Sequence, residues 1–275
     1  MAAFPQRRVS KTARWARRLS AFSLVLLVTV GVGHRYGFVE TFGFLWTLAL
    51  VALLAIAGLA LAAIGFSQLW RRGDKAGRAS LAATLLSLVV LTPYGIAGWL
   101  YLNLPALTDI STDLQEPPAF VLTPRHRIAP MNTISPITAE AAALQMRYYP
   151  EVVGRRLDAS IERVLAALAP TVAARGWRAR TQMPTSAAGQ IEISIEMEAP
   201  SLIMRFPADA VIRLTSEEET TFVDMRMATR FGPHDLGSNA RNINGFMSEF
   251  AAELERQSLE IIDIPPSDGS EKAVD

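Results

Sequence analysis

The chain has 275 residues, half of them apolar and 19% charged, with 17 Gly and 16 Pro, a composition that excludes both a disordered and a fibrous protein. Its net charge of +1 hides a division: residues 1–102 hold 11 Lys/Arg against 2 Asp/Glu, and residues 103–275 hold 16 against 24. The absence of cysteine rules out a disulfide framework, thiolate metal sites and a thiol nucleophile, and three histidines (His34, His126, His234) leave little for a histidine metal centre.

Three apolar stretches fill the first part, Leu19 to Gly33, Phe42 to Trp70 and Ala79 to Leu102, none with an ionisable residue inside. A bilayer core of about 30 Å needs roughly 20 helical residues. The expectation is three spanning helices over about 16–34, 43–69 and 79–102, the first reaching length only with Trp15, Arg17 and Arg18 in the headgroup region. A basic segment before a short apolar one is also how a secretory signal looks, but Leu27 to Gly33 offers no Ala-x-Ala cleavage site.

Six Lys/Arg precede the first helix, one lies between the first two, and four lie in Arg71 to Arg78. By the positive-inside rule the N-terminus is cytoplasmic and residue 103 emerges outside, so the expected location is a multi-pass bacterial inner-membrane protein with a periplasmic C-terminal domain. The lipid bilayer is thus the first expected partner. The helices carry hydroxyls but no charge, which favours an anchor over a transporter. Gly58, Ala62 and Gly65 share a face of the second helix, a spacing seen in helix dimers and also expected by chance in so Ala-rich a stretch.

Residues 103–138 read as a Pro-rich tether, punctuated by Pro105, Pro117, Pro118, Pro124, Pro130 and Pro136, unless they lie against the surface of a domain. An exported domain is expected over 139–262 and a disordered tail over 263–275. Leu157, Ile161, Val164, Leu165 and Leu168 give a helical face that Pro170 ends or kinks. Ile191, Ile193, Ile195 and Met197 alternate with Glu192, Ser194, Glu196 and Glu198, a strand with one buried and one wet face. Leu202 to Phe206, Ala210 to Thr215 and Thr220 to Phe231 read as further strands. Ala240, Ile243, Met247, Phe250, Ala251 and Leu254 then follow a last helix capped by Asp235 or Ser238. The fold class is α+β: three N-terminal transmembrane helices, then a two-layer domain of antiparallel sheet with helices on one face.

Several motifs in order resemble the bacterial and plastid family known as domain of unknown function 1499: Asp109-Ile110-Ser111-Thr112-Asp113 with Pro117-Pro118-x-Phe120, Tyr149-Pro150, Gly176-Trp177, Asp209-x-Val211-Ile212-Arg213-Leu214, Val223-Asp224-Met225-Arg226, and Arg230-x-Gly232-x-x-Asp235-Leu236-Gly237-x-Asn239-Ala240-Arg241. The likeness covers about residues 103–255, with Ala208 standing where a second acidic residue is expected. It implies domain limits and marks residues, and it brings no activity.

Arg213, Arg226 and Arg230 could receive an anionic headgroup, or answer Glu192, Glu196 and Glu198 across the sheet on a solvated face. With Asp235, Asn239 and Arg241 from the last motif they form the candidate ligand-binding set. Asp109, Ser111, Thr112 and Asp113, near Glu116, cluster oxygens suited to a cation, to acid–base work or simply to a turn. His234 beside Asp235 is a weak catalytic pair, because sequence neighbours rarely face each other. No catalytic residue, metal or cofactor is expected, and nucleic acid is excluded by the acidic outer half. The favoured reading is an envelope protein binding an apolar or anionic ligand or a partner protein, with a cavity expected between last helix and sheet; the alternative is a metal-assisted hydrolase using Asp109, Asp113, Asp209 or Asp235.

Overall fold

A computed structural model describes residues 8–262, with side chains to residue 259, so the tail expected over 263–275 lies outside the described residues. The chain divides into two compact units: one runs to Leu104 and includes Leu202–Phe206, the other comprises Pro105–Ser201 with Pro207 onward.

The first unit is built on α1 (Lys11–Arg35), α2 (Thr41–Arg72) and α3 (Gly77–Asn103), three helices long and apolar enough to cross a membrane. Ser10 caps α1 through the Ala13 N–H at 3.1 Å, and Gly73, left-handed at φ 70°, ends α2. The helix α3 runs on through Pro93. Small residues let the helices approach: Ala13, Ala16 and Ser20 of α1, Ala55, Gly58, Ala62 and Gly65 of α2, and Ser80, Ala83 and Ser87 of α3 are all buried. Ser20 and Ser87 hydroxyls meet at 2.9 Å, where a Cβ on Gly58 would collide with Ser20 Oγ. The small-residue face of α2 is therefore occupied within the chain, which removes the argument for using it in a dimer. Outward lie large apolar side chains such as Phe22, Val25, Leu53, Ile56, Leu85 and Val89.

Rings mark both ends of this unit. Exposed Trp15 and Trp70 lie at the end where the Lys75 N–H donates to Arg8 O at 2.8 Å, bringing the basic N-terminal segment beside the basic α2–α3 loop. Exposed Tyr36, Phe38, Trp46, Trp99 and Tyr101 lie at the opposite helix ends. Two aromatic girdles with roughly 20 residues of helix between them are the pattern of a membrane span.

The second unit holds β1 (Asp109–Ser111), α4 (Thr123–His126), α5 (Ala139–Tyr148), β2 (Arg155–Leu157), α6 (Ile161–Ala174), β3 (Arg178–Ala179), β4 (Glu192–Glu198), β5 (Ala208–Glu217), β6 (Thr220–Thr229) and α7 (Ser238–Ile262). The sheet is antiparallel in the order β1-β6-β5-β4-β3, and β2 shares the outer edge of β6 with β1. Register carries Ile193, Ile195 and Met197 onto Leu214, Ile212 and Ala210, and these onto Val223, Met225 and Met227. That face receives α6 and α7 through Val164, Leu168, Ile243, Phe246 and Phe250, with Trp177 stacked on Phe246 at 5.2 Å.

Four readings are corrected. Residues 105–138 are no free tether: β1 pairs with β6, and Leu107, Ile110 and Phe120 are buried. The prolines that break any period here let this stretch trace an irregular cover over the second face of the sheet. Leu202–Phe206 is no strand, because the Ala199 N–H already bonds Ala208 O at 2.8 Å and closes the β4–β5 ladder without it. Leu157 belongs to β2 and α6 begins only at Ile161. Pro170 does not end α6, which runs on to Ala174, and Gln257 Nε2 donates to Ala166 O, the carbonyl that Pro170 leaves without its helical partner, at 3.5 Å.

Candidate functional site

The second face of the sheet is exposed at Glu192 and Ser194 of β4, as their alternation predicts, but is covered over β5 and β6. Glu196, Asp209, Asp224 and Arg226 are buried there beneath residues 112–135, with Phe120 and Ile134 packed on Val211 and Ala228. Both faces of β5 and β6 are thus covered, and buried charges must be paired.

Asp209 sits at the centre. It accepts from Arg127 Nε (3.0 Å), Arg180 Nη2 (2.5 Å) and Arg230 Nε and Nη2 (3.1 and 2.7 Å). Burial pushes its carboxyl up, but Arg230, Arg127 and Arg180 outweigh this and hold it below the usual range. Glu198 adds a second carboxylate to Arg230 at 2.7 Å. Glu196, expected on a wet face, accepts the N–H groups of Val121, Leu122 and Thr123 at 2.6 to 2.7 Å and the Thr123 hydroxyl at 2.6 Å. Against burial, those bonds hold its carboxyl low as well. Arg226 closes on Asp109 at 2.9 and 2.7 Å and lies over the Phe120 ring at 5.3 Å.

Arg213 bridges Asp224 at 2.7 Å and Asp113 at 2.9 Å, while Thr112 Oγ1 donates to Asp224 at 2.8 Å. Asp113 also accepts from the Gln115 and Glu116 N–H groups, which with Arg213 hold its carboxyl low despite desolvation. Ser111 lies at the β1 end, where its backbone is clasped by the Gln145 amide at 3.1 and 2.6 Å.

Of these groups Thr112, Asp113, Gln145 and Asp224 line a cleft of about 810 Å³, together with Leu114, Met146, Tyr149, Val152, Val153 and Phe222. Gly154 is required here, because a Cβ would stand 2.6 Å from Asp224 Oδ1 and 2.7 Å from Phe222 Cζ. The walls are mainly apolar, with Met146 and Val153 exposed at the surface, and the polar floor is internally bonded. The cleft is open to solvent along one side. It lies beside α5, β2 and β6; between α7 and the sheet, where a cavity is expected, Phe246 and Phe250 are buried.

The last motif supports α7. Asp235 accepts the Gly237 and Asn239 N–H groups at 2.8 and 2.9 Å; burial raises its carboxyl more than these bonds lower it. Asn239 ties Thr108 O to Thr229 Oγ1, and Arg241 donates to Leu236 O. His234 Nδ1 accepts the Leu236 N–H at 2.8 Å and stands 3.9 Å from Asp235 Oδ1. Asp109, Asp113, Asp209 and Asp235, the carboxylates named for a hydrolase, are each engaged; among the described residues no group of three His, Cys, Asp or Glu could hold a metal.

Arg127, Arg180, Gln145 and the cleft wall Met146 to Val153 had no periodic signal to reveal them. Asp209 gave a clue, being a lone acid in the apolar run of β5, and a strand covered on both faces must bring a partner to such a group.

The fold and site together define an α+β domain with a buried Arg/Asp layer and a side cleft, preceded by three membrane-length helices. The family described as "Protein of unknown function (DUF1499)" matches residues 109–250, and the chain belongs to it. No curated protein and no solved structure matches the chain.

Proposed function

We propose that this is a membrane-anchored protein of the bacterial envelope, with its N-terminus cytoplasmic and its sheet domain periplasmic, that acts by binding the apolar portion of an amphipathic ligand in the cleft beside α5. The observation that carries the binding role is the cleft itself: about 810 Å³, walled by Leu114, Met146, Val152, Val153 and Phe222. The orientation is supported by the basic residues gathered at one end of the helices. Catalysis finds less support, because the acids and arginines nearby are paired with one another.

The test is dansyl-undecanoic acid added to the full chain in nanodiscs. Wild type is expected to enhance its fluorescence above protein-free discs. Ala142→Phe, which fills the cleft, and Val153→Asp, which charges its wall, are expected to weaken binding about tenfold, or ~1.4 kcal/mol. Equal binding by wild type and both variants contradicts the reading.

A further inference from the structure

The segment Leu202–Phe206 lies in sequence between two strands yet belongs to the helical unit. Three consecutive carbonyls are held there by the end of α1. Arg35 Nη1 donates to Leu202 O at 2.9 Å and Ile203 O at 2.6 Å, and His34 Nδ1 lies 2.8 Å from Met204 O. Because a carbonyl only accepts, His34 donates from Nδ1, and its Nε2 lies 3.2 Å from Thr41 Oγ1. The ring is buried, stacked on Phe44 at 4.3 Å with Phe206 at 5.5 Å. Against this fixed backbone the side chains of Leu202 and Ile203 point outward, 52% and 80% exposed.

Both halves of that arrangement have a physical reading. Water would satisfy loop carbonyls without help, whereas in hydrocarbon each unpaired one costs several kcal/mol, so irregular backbone reaches membrane depth only when its polar groups are met by protein. Two adjacent large aliphatic side chains held in water are, conversely, unfavourable by their buried-area equivalent. The site is continuous with the lipid-type surface of the helices and stands at the girdle end, where Tyr36 and Phe38 follow Arg35 directly and are 70% and 85% exposed.

We infer that Leu202 and Ile203 form a second membrane contact, a short interfacial insert whose side chains enter the outer leaflet while His34 and Arg35 hold its carbonyls. The occupant of this surface is lipid. The inference rests on the membrane-spanning reading of α1 to α3, and the test separates the two.

The chain has no cysteine, so single sites can be labelled. Ile203→Cys, Leu85→Cys on the exposed face of α3 and Glu219→Cys in the β5–β6 turn are each labelled with the fluorophore NBD in nanodiscs with and without doxyl-lipid quencher. The expected result is emission blue-shifted and quenched by doxyl lipid at 203 and 85, with neither effect at 219. A water-like, unquenched signal at 203 with a quenched one at 85 overturns the insert and leaves the span standing. Blue-shifted but unquenched emission at 203 also overturns it, showing burial in protein. Water-like signals at both 203 and 85 overturn the span and the insert together.

Discussion

Arg226 grips Asp109 with two hydrogen bonds, 2.9 and 2.7 Å, across 117 residues of sequence, and so fastens β1 to β6 under the cover of residues 112–135. The arginine side chain is 8% exposed and the aspartate 21%. Arg226→Met strands a partly buried carboxylate and is expected to cost about 2 to 3 kcal/mol in denaturant unfolding of the full chain. Asp109→Leu with Arg226→Met is expected to recover part of that loss, since neither charge is left alone. A single-variant loss below about 0.5 kcal/mol would mean that the pair sits in effective contact with water.

The acid limb of stability follows from the cluster around Asp209. Asp209, Glu196 and Asp113 are all held below their ordinary values. Unfolded Asp and Glu titrate near ~3.9 and ~4.3. The stability these groups give is therefore present above those values and is lost as pH falls through the depressed folded ones. Asp235 is raised and runs the other way: its contribution is present below ~3.9 and lost as pH rises through its folded value. Since three groups oppose one, unfolding midpoints should be flat toward neutrality and drop below about pH 4. The deficit of Arg230→Met relative to wild type should be large at pH 6 and shrink toward pH 3. A deficit independent of pH contradicts the assignment.

Tyr149 offers the opposite sign at the alkaline end. Its hydroxyl is buried with no hydrogen-bond partner among the described residues, and burial, with the charges of Asp235 and Glu151, pushes its phenol up to about 12. Unfolded Tyr titrates near ~10. Stability from keeping it protonated is complete below that value and lost as pH rises to about 12. Tyr149→Phe should unfold at neutral pH no earlier than wild type, with a gain of up to about 1 to 2 kcal/mol, and should lack the extra alkaline loss. A loss above about 1 kcal/mol at pH 7 would show that the hydroxyl is bonded.

Where a periodic pattern met a single covering layer, the sequence was legible: the three apolar helices, the alternation of Ile193, Ile195 and Met197, and the Ile243, Met247 and Phe250 face of α7 all lie as their spacing predicts. The pattern misleads where a polar face is covered too. Glu196, Arg213 and Arg226 alternate like solvated residues, and nothing local reveals that Asp109, Asp113 and the N–H groups of 121–123 arrive from far along the chain. Irregular backbone hides the rest. Residues 105–138 and 202–206 take their structure from distant partners, so their prolines and apolar letters read as a tether and as a strand. The cleft was not legible, because Met146 of α5, Val153 of the loop before β2 and Phe222 of β6 come from separate parts of the chain.

The central proposal is that α1 to α3 cross the membrane with their basic end cytoplasmic, so that the chain after α3 emerges on the other face. Cysteine-free wild type allows one direct measurement: Lys75→Cys and Glu219→Cys are each exposed to an impermeant maleimide in bacterial spheroplasts, before and after lysis. The account predicts that Glu219→Cys is labelled in intact spheroplasts and Lys75→Cys only after lysis. Labelling of Lys75→Cys with protection of Glu219→Cys, or equal labelling of both before lysis, contradicts it.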